Sequence, residues 1–513
     1  MERKKVIVGM MMLIFMLLLA GSQMLFAATP KPAHGGGMAI SDSSEEANIG
    51  YPPKMMRPLS MRQGGPAIES LLRTDKSGKL VPWLATAFKE DAKAQTITLT
   101  LRKGVKFHDG TDFNAEAVKW NMEQSVAAKS TGTDKIKSVD IVDSSTVRIN
   151  LTGWDSTFLS NLAQFVGLMI SPAAFKKNGE DWCANNPVGT GPFQFVSREK
   201  NVRLTYKKFD GYWQKGKPYL DKIEFAPITD SMTREFSLRK KEVDLMVTSS
   251  AKSIKALEKD GFAVMMSRYP AGERCIVFDS GNPKSPFSDL RVRQAAQYAI
   301  DRKAIVDNIF DGVHEPANQQ VYKGNWAYNP SVVGYPYNPA KAKQLLAAAG
   351  YPNGFKTKLL YYTNPENDQV YAAVQNYLKA VGIDAELDPA QLGRWNQVGN
   401  GGKWEGMVVG MAASIDVLAL IDQNYSGSGK FTEMAIPPDY RKAIQSALAA
   451  PDFKTKQKLT QDLLKVATDK HSLFLDLFVP SELGAAGKYL HDHGILAGGN
   501  NAIWTPENAW RDK

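Results

Sequence analysis

Cysteine is almost absent from this chain. Among 513 residues only Cys183 and Cys275 occur, which excludes a disulfide-stapled framework and a cysteine-built zinc site. One bridge between them stays open in an oxidising compartment, because spacing along the chain does not say whether their Cα atoms come within about 7 Å. Histidine is scarce too, with six in all and no HExxH pattern. His491 and His493, on either side of Asp492, are the one close pair. Two ligands without a third or fourth point to a surface loop, so no metal or cofactor is expected. Also missing are a phosphate loop, a GxSxG elbow and a carboxylate pair at a set spacing. Tyr425-Ser426-Gly427-Ser428-Gly429 reads as a flexible loop. Lys and Arg exceed Asp and Glu by 10 charges, but singly scattered, without the basic stripe that nucleic acid requires.

What the chain does have begins with Glu2-Arg3-Lys4-Lys5, an apolar run from Val6 to Ala20, and small residues up to Ala28. This is the layout of a cleavable signal peptide over residues 1–28. Gly21, Ser22 and Gln23 interrupt the run and weigh against a retained anchor. Leu19-Ala20-Gly21-Ser22 has the form of a lipoprotein box with serine in place of the acceptor cysteine. A soluble periplasmic protein, not lipid-anchored, is the expectation. With 43% hydrophobic and 23% charged residues the remainder is globular, and its length calls for two or three lobes.

Strands and helices alternate from Met38 onward. Ile97, Leu99 and Leu101 are apolar at every second position, as in a half-buried strand. Lys103-Gly104 and His108-Asp109-Gly110 supply turn residues, and Asn114 is placed to cap the next helix. The segment FHDGTD, with His108, Asp109 and Asp112, therefore reads first as a strand–turn–helix connection. A hairpin is expected over 136–151, and strands at 201–206, 223–227, 355–362, 383–387, 407–411 and 473–479. Helices are expected at 289–310 as one long run, at 339–349, at 368–381 and twice within 438–468. That alternation is the α/β class, with parallel or mixed sheets.

Five blocks then fall in a recognisable order. They are KLVPWLATAF (79–88), TITLTLRKGVKFHDGTDFNAEAVKWNME (96–123), NPVGTGPFQF (186–195), FSDLRVRQAAQYAIDRKAIVDNIFDG (287–312) and YNPAKAKQLLAAAGYPNG (337–354). YLHDHG and IWTPENAW follow near the C-terminus. Together they resemble the family 5 extracytoplasmic solute-binding proteins, the oligopeptide-, dipeptide- and nickel-binding components of ABC importers. Only residues 38–77 fit loosely. The resemblance implies a periplasmic binding protein-like α/β fold of type II, three-lobed through an inserted domain, with two lobes closing on a ligand cleft. Lobe I would take 29–72, 186–247 and 480–513, lobe II 73–185, and lobe III 248–479. The implied chemistry is capture by hinge closure and delivery to the permease subunits, not turnover, by a protein expected to be a monomer.

Peptide binders of the family hold the ligand's amine with an aspartate in a block like GWxxDxxDP. The matching stretch here is GMAASID, 410–416, with Met411 where tryptophan is usual and Ser414 where the aspartate would stand. Asp416 lies two places on. Dipeptide binders use an arginine for the carboxylate, and Tyr361 falls at that place. Losing both leaves the ends of a zwitterion without charged partners, at about 1–3 kcal/mol for each charged hydrogen bond. Two readings follow. Asp416 takes the amine and the cargo is a peptide; or Tyr361, Tyr362, Trp395, Trp404 and Met411, faced by Tyr51 and Met55 from lobe I, receive a neutral or aromatic molecule. Plain core packing competes for each of these residues. The rivals outside transport are a secreted hydrolase using His108, Asp109 and Asp112, in the inserted lobe away from the cleft, and a chaperone-like role on the same fold.

Overall fold

The computed structural model describes residues 31–55, 57–248, 250–268, 271–399, 401–427, 430–497 and 504–513. The expected signal peptide, with Ser22, lies outside the described residues, as do Ser428, Gly429 and Ile503. From His34 onward the chain is one compact unit organised by two large sheets and a smaller one.

Gly37–Asp42 runs through the middle of the seven-stranded first sheet, parallel to Lys222–Pro227 and to Leu245–Thr248. Phe193–Glu199 and Arg203–Lys208 extend one edge of this sheet; Ser481–Ala486 and Ala263–Arg268 extend the other. The six-stranded second sheet has the order Glu315–Pro316, Phe474–Val479, Ala271–Phe278, Met407–Ser414, Phe355–Tyr362, Ile383–Ala390. All six residues of Phe474–Val479 are buried, because this sheet is covered on both faces. The inserted lobe holds a four-stranded antiparallel sheet of Ala85–Asp91, Thr96–Leu101, Thr146–Leu151 and Ile136–Asp143. Its core is built from Ile97, Leu99 and Leu101 with Val147 and Ile149, and it also receives Ile415 from the far side of the chain.

The chain passes between the two large sheets twice. Pro480 alone separates Phe474–Val479 of the second sheet from Ser481–Ala486 of the first, and a residue without an N–H is a natural place to end one ladder. The other passage runs between Ala263–Arg268 and Ala271–Phe278. The strand Ala263–Arg268 pairs with Ser481–Ala486 in the first sheet. The change of sheet therefore falls after Arg268. Hydropathy marks strands, and the partner of a strand is a long-range choice.

Local signals account for most elements. Asn114 accepts from the Ala117 N–H at 3.0 Å and starts Ala115–Ala127. The helix Pro365–Val381 begins earlier than expected. Asn364 accepts from the N–H groups of Glu366 and Asn367 at 3.0 and 2.8 Å, and Pro365 occupies the first turn. It closes on Gly382 at φ +105°, a left-handed cap that glycine adopts freely. The single helix expected over 289–310 is two, Leu290–Ala299 and Arg302–Phe310. Asp301 accepts from the Ala304 N–H at 2.9 Å, and this cap replaces the through-helix bonding. Cys183 and Cys275 are both buried, and no disulfide joins them.

Candidate functional site

The crossing of the two sheets defines a cleft. Asp42 and Thr248 end their strands there on the first sheet, and Thr248 stands opposite Leu483, two residues past Ser481. On the second sheet Ala271 pairs with Ser414, and Phe355–Tyr362 ends its run on the same side, parallel to Met407–Ser414. The carboxyl ends of parallel strands from both sheets thus converge at the crossing, where open α/β sheets place ligands.

Two cavities flank that crossing. One, about 290 Å³, is lined by Asp42, Arg62, Arg234, Thr248, Ser481 and Glu482. Arg62 forms an ion pair with Asp42 at 3.0 Å and another with Glu482, all three side chains at most 10% exposed. The guanidinium therefore ties the end of the central strand to the strand leaving the crossing, and its charge is fully used. Arg234 donates through Nη1 to the carbonyls of Ile228 and Thr229, at 2.5 and 2.8 Å, while its buried Nε has no partner.

The second cavity, about 590 Å³, lies between the lobes. Ser250 and Lys252 line it from the first-sheet side; Arg274, Tyr362, Asn364 and Glu366 line it from the second. Asn364 is occupied as a helix cap. Arg274 and Glu366 are different: among the described residues neither side chain has a hydrogen bond or ion pair. Burial pushes the Glu366 carboxyl above its ordinary value, against a smaller opposing pull from the Arg274 charge.

The residues singled out in the sequence are not gathered in one place. Tyr51 and Met55 are buried in the core behind the first sheet. The Tyr51 ring packs 5.2 Å from Phe175, with its hydroxyl donating to Gln124 at 3.3 Å. Tyr361 is buried in the core on one face of the second sheet, 4.8 Å from the Tyr371 ring. Tyr362, next along the strand, faces the opposite side and lines the interlobe cavity. Trp395 is buried and donates to Val409 O at 3.0 Å; Trp404 packs edge-on to Phe431. Both belong to the same core cluster as Tyr362. The Met411 side chain lies outside the described residues. The Ser414 hydroxyl accepts from the Asp416 N–H at 3.2 Å. The Asp416 carboxylate caps Val417–Tyr425 and pairs with Lys456, in a cavity of about 240 Å³ between the inserted lobe and the second-sheet lobe.

The FHDGTD segment is scaffold. His108 donates through Nε2 to Gly191 O at 2.9 Å, Asp109 accepts from Thr111 and Ser171, and Asp112 pairs with Lys106 at 2.7 Å on the surface. These contacts hold the turn against its neighbours, and only His108 Nδ1 among them is buried without a partner. Arg274 and Glu366 escaped the sequence reading. The available signal was a charge set directly before the buried apolar run Cys275-Ile276-Val277-Phe278.

Comparison with known proteins agrees with this architecture. The model of the bacterial extracellular solute-binding proteins, family 5 middle, matches residues 79–432. The glutathione-binding protein GsiB of Salmonella choleraesuis is 33% identical over 453 residues, spanning 83% of this chain and 86% of that protein. Among solved structures, HbpA2 from Haemophilus parasuis superposes with a TM-score of 0.83 at 20% identity, covering 93% of this chain and all of that one. DppA from Helicobacter pylori, in complex with the peptide STSA, gives 0.72 at 22% identity over 94% and 99%.

Proposed function

This chain belongs to the family 5 bacterial extracellular solute-binding proteins, and from that premise we propose that its cargo is a short peptide or a peptide-like solute. It is the solute-binding component of an ABC importer: it captures its ligand outside the cytoplasm and presents it to a membrane permease. The observation that carries the choice of cargo is the interlobe cavity of about 590 Å³, walled by Lys252, Arg274 and Glu366. A cavity of that size suits a small ligand, and its charged groups favour a polar one over a neutral aromatic one. The relatives named for glutathione binding support the same class.

Function follows from closure. Ligand that touches both lobes binds the closed arrangement better than the open one and shifts the population by that difference. The three lobes are the moving units of this reading, divided where the sheets change. The protein acts as a monomer, released after its leader is cut near Ala28 and without lipid, since Ser22 offers no thiol. N-terminal sequencing of protein released by osmotic shock checks the leader. Mass spectrometry of the compound freed by denaturing natively purified protein tests the cargo. A peptide-class compound is expected, and a neutral aromatic compound as the sole ligand overturns the proposal.

A further inference from the structure

The geometry points to Arg274 and Glu366 as opposite-charge anchors for one zwitterionic solute, Arg274 taking a carboxylate and Glu366 an ammonium. This rests on the cleft reading given above.

Several other buried charges among the described residues are matched internally, although the buried Asp476 Oδ1 has no partner. Glu69 accepts from Trp83, Thr190, Tyr212 and Trp213 at 2.8 to 3.0 Å. Asp416 has Lys456, and Arg62 has both Asp42 and Glu482. Such matching is favoured, because an unpaired charge away from water is costly. Arg274 and Glu366 depart from it together, facing one cavity, half-buried and without a protein partner among the described residues. No ion pair within 4 Å joins them, although the Arg274 charge still acts on the Glu366 carboxyl.

Their arrangement also selects the ligand. A simple anion would meet Arg274 but be repelled by Glu366, and a simple cation the reverse. A molecule bearing both charges satisfies both groups through charge-assisted hydrogen bonds. Lys252, exposed on the facing wall, brings the cavity to two cations against one anion. A second carboxylate on the solute would match it, with a weaker effect because Lys252 is solvated. The two anchors sit on the second-sheet lobe, midway along Ala271–Phe278 and in the first turn of Pro365–Val381. They are placed to hold the solute while the Lys252 wall closes. Ser414 and Tyr361, which carry no charge, are then no obstacle to binding a zwitterion.

Calorimetry on cargo-stripped protein tests this, with reduced glutathione and trialanine as probes, each free, N-acetylated and C-amidated. Wild type should lose about ten- to a hundredfold in affinity on either capping. Arg274→Gln should bind free and amidated probes alike while keeping the acetylation penalty, and Glu366→Gln should show the reverse. Arg274→Lys, which keeps the charge, should retain the amidation penalty. The surviving penalty in each variant shows that its cleft is folded. Both variants behaving as wild type overturns the anchors and leaves the cleft reading intact, as does wild type that is indifferent to capping. Wild type that binds none of the probes overturns both.

Discussion

Replacing Lys456 by methionine should destabilise the protein by about 3 kcal/mol, and adding Asp416→Asn should recover most of that loss. Lys456 Nζ donates to the Asp416 carboxylate and to Ser156 O at 2.9 Å, with the two side chains only 7% and 6% exposed. Removing one member of a buried pair strands the other charge, at about 3–5 kcal/mol. The lower end applies here. Asp416 keeps its bonds from the Leu418 and Ala419 N–H groups at 2.9 and 3.3 Å, which offset part of the cost. Asp416→Asn alone should cost about the same, because it preserves the helix cap but leaves the Lys456 ammonium with Ser156 O and the Trp326 ring, 5.4 Å away. In the double variant no charge is buried. The remaining loss is the bond to Ser156 O, about 1 kcal/mol, against roughly 6 if the single effects added. Urea unfolding of ligand-free protein gives the cycle. A double variant as unstable as the sum of the singles refutes the reasoning. So does an Asp416→Asn protein of unchanged stability that binds cargo tenfold more weakly, which would make Asp416 a cargo contact.

Two further outcomes test the scaffold. Burial lowers the His108 pKa from 6.5 to about 4, so the unfolded chain takes up a proton below pH 6.5 that the folded chain refuses until about pH 4. The stability from neutral His108 is complete above pH 6.5 and is lost as the pH falls towards 4; His108→Gln should remove about one proton of uptake from urea midpoints in that window, and an unchanged slope would contradict this. Gly410→Ala should cost about 1–3 kcal/mol or more, because a Cβ there would lie 2.7 Å from Cys275 Sγ and 2.8 Å from Tyr425 Oη. A melting temperature equal to that of the parent would show that the strand can shift.

Much of the fold was legible because its signals are local. The alternation of Ile97, Leu99 and Leu101, the Asn114 cap, and Gly350 and Gly382 beyond their helices each act within a few residues. The ordered blocks carried the family in the same way, through turn and cap residues such as those of FHDGTD. The sequence alone thus determined the class of fold and the class of function. The tertiary structure decided which strand joins which sheet: Ala263–Arg268 belongs with Ser481–Ala486, more than two hundred residues away. It also decided which charges are spent and which are left over. Arg62 meets Glu482 across 420 residues and Lys456 meets Asp416 across 40, whereas Arg274 and Glu366 meet no protein partner among the described residues. The reason is physical: hydropathy period and capping depend on neighbours along the chain, but the fate of a charge depends on distance and burial in space.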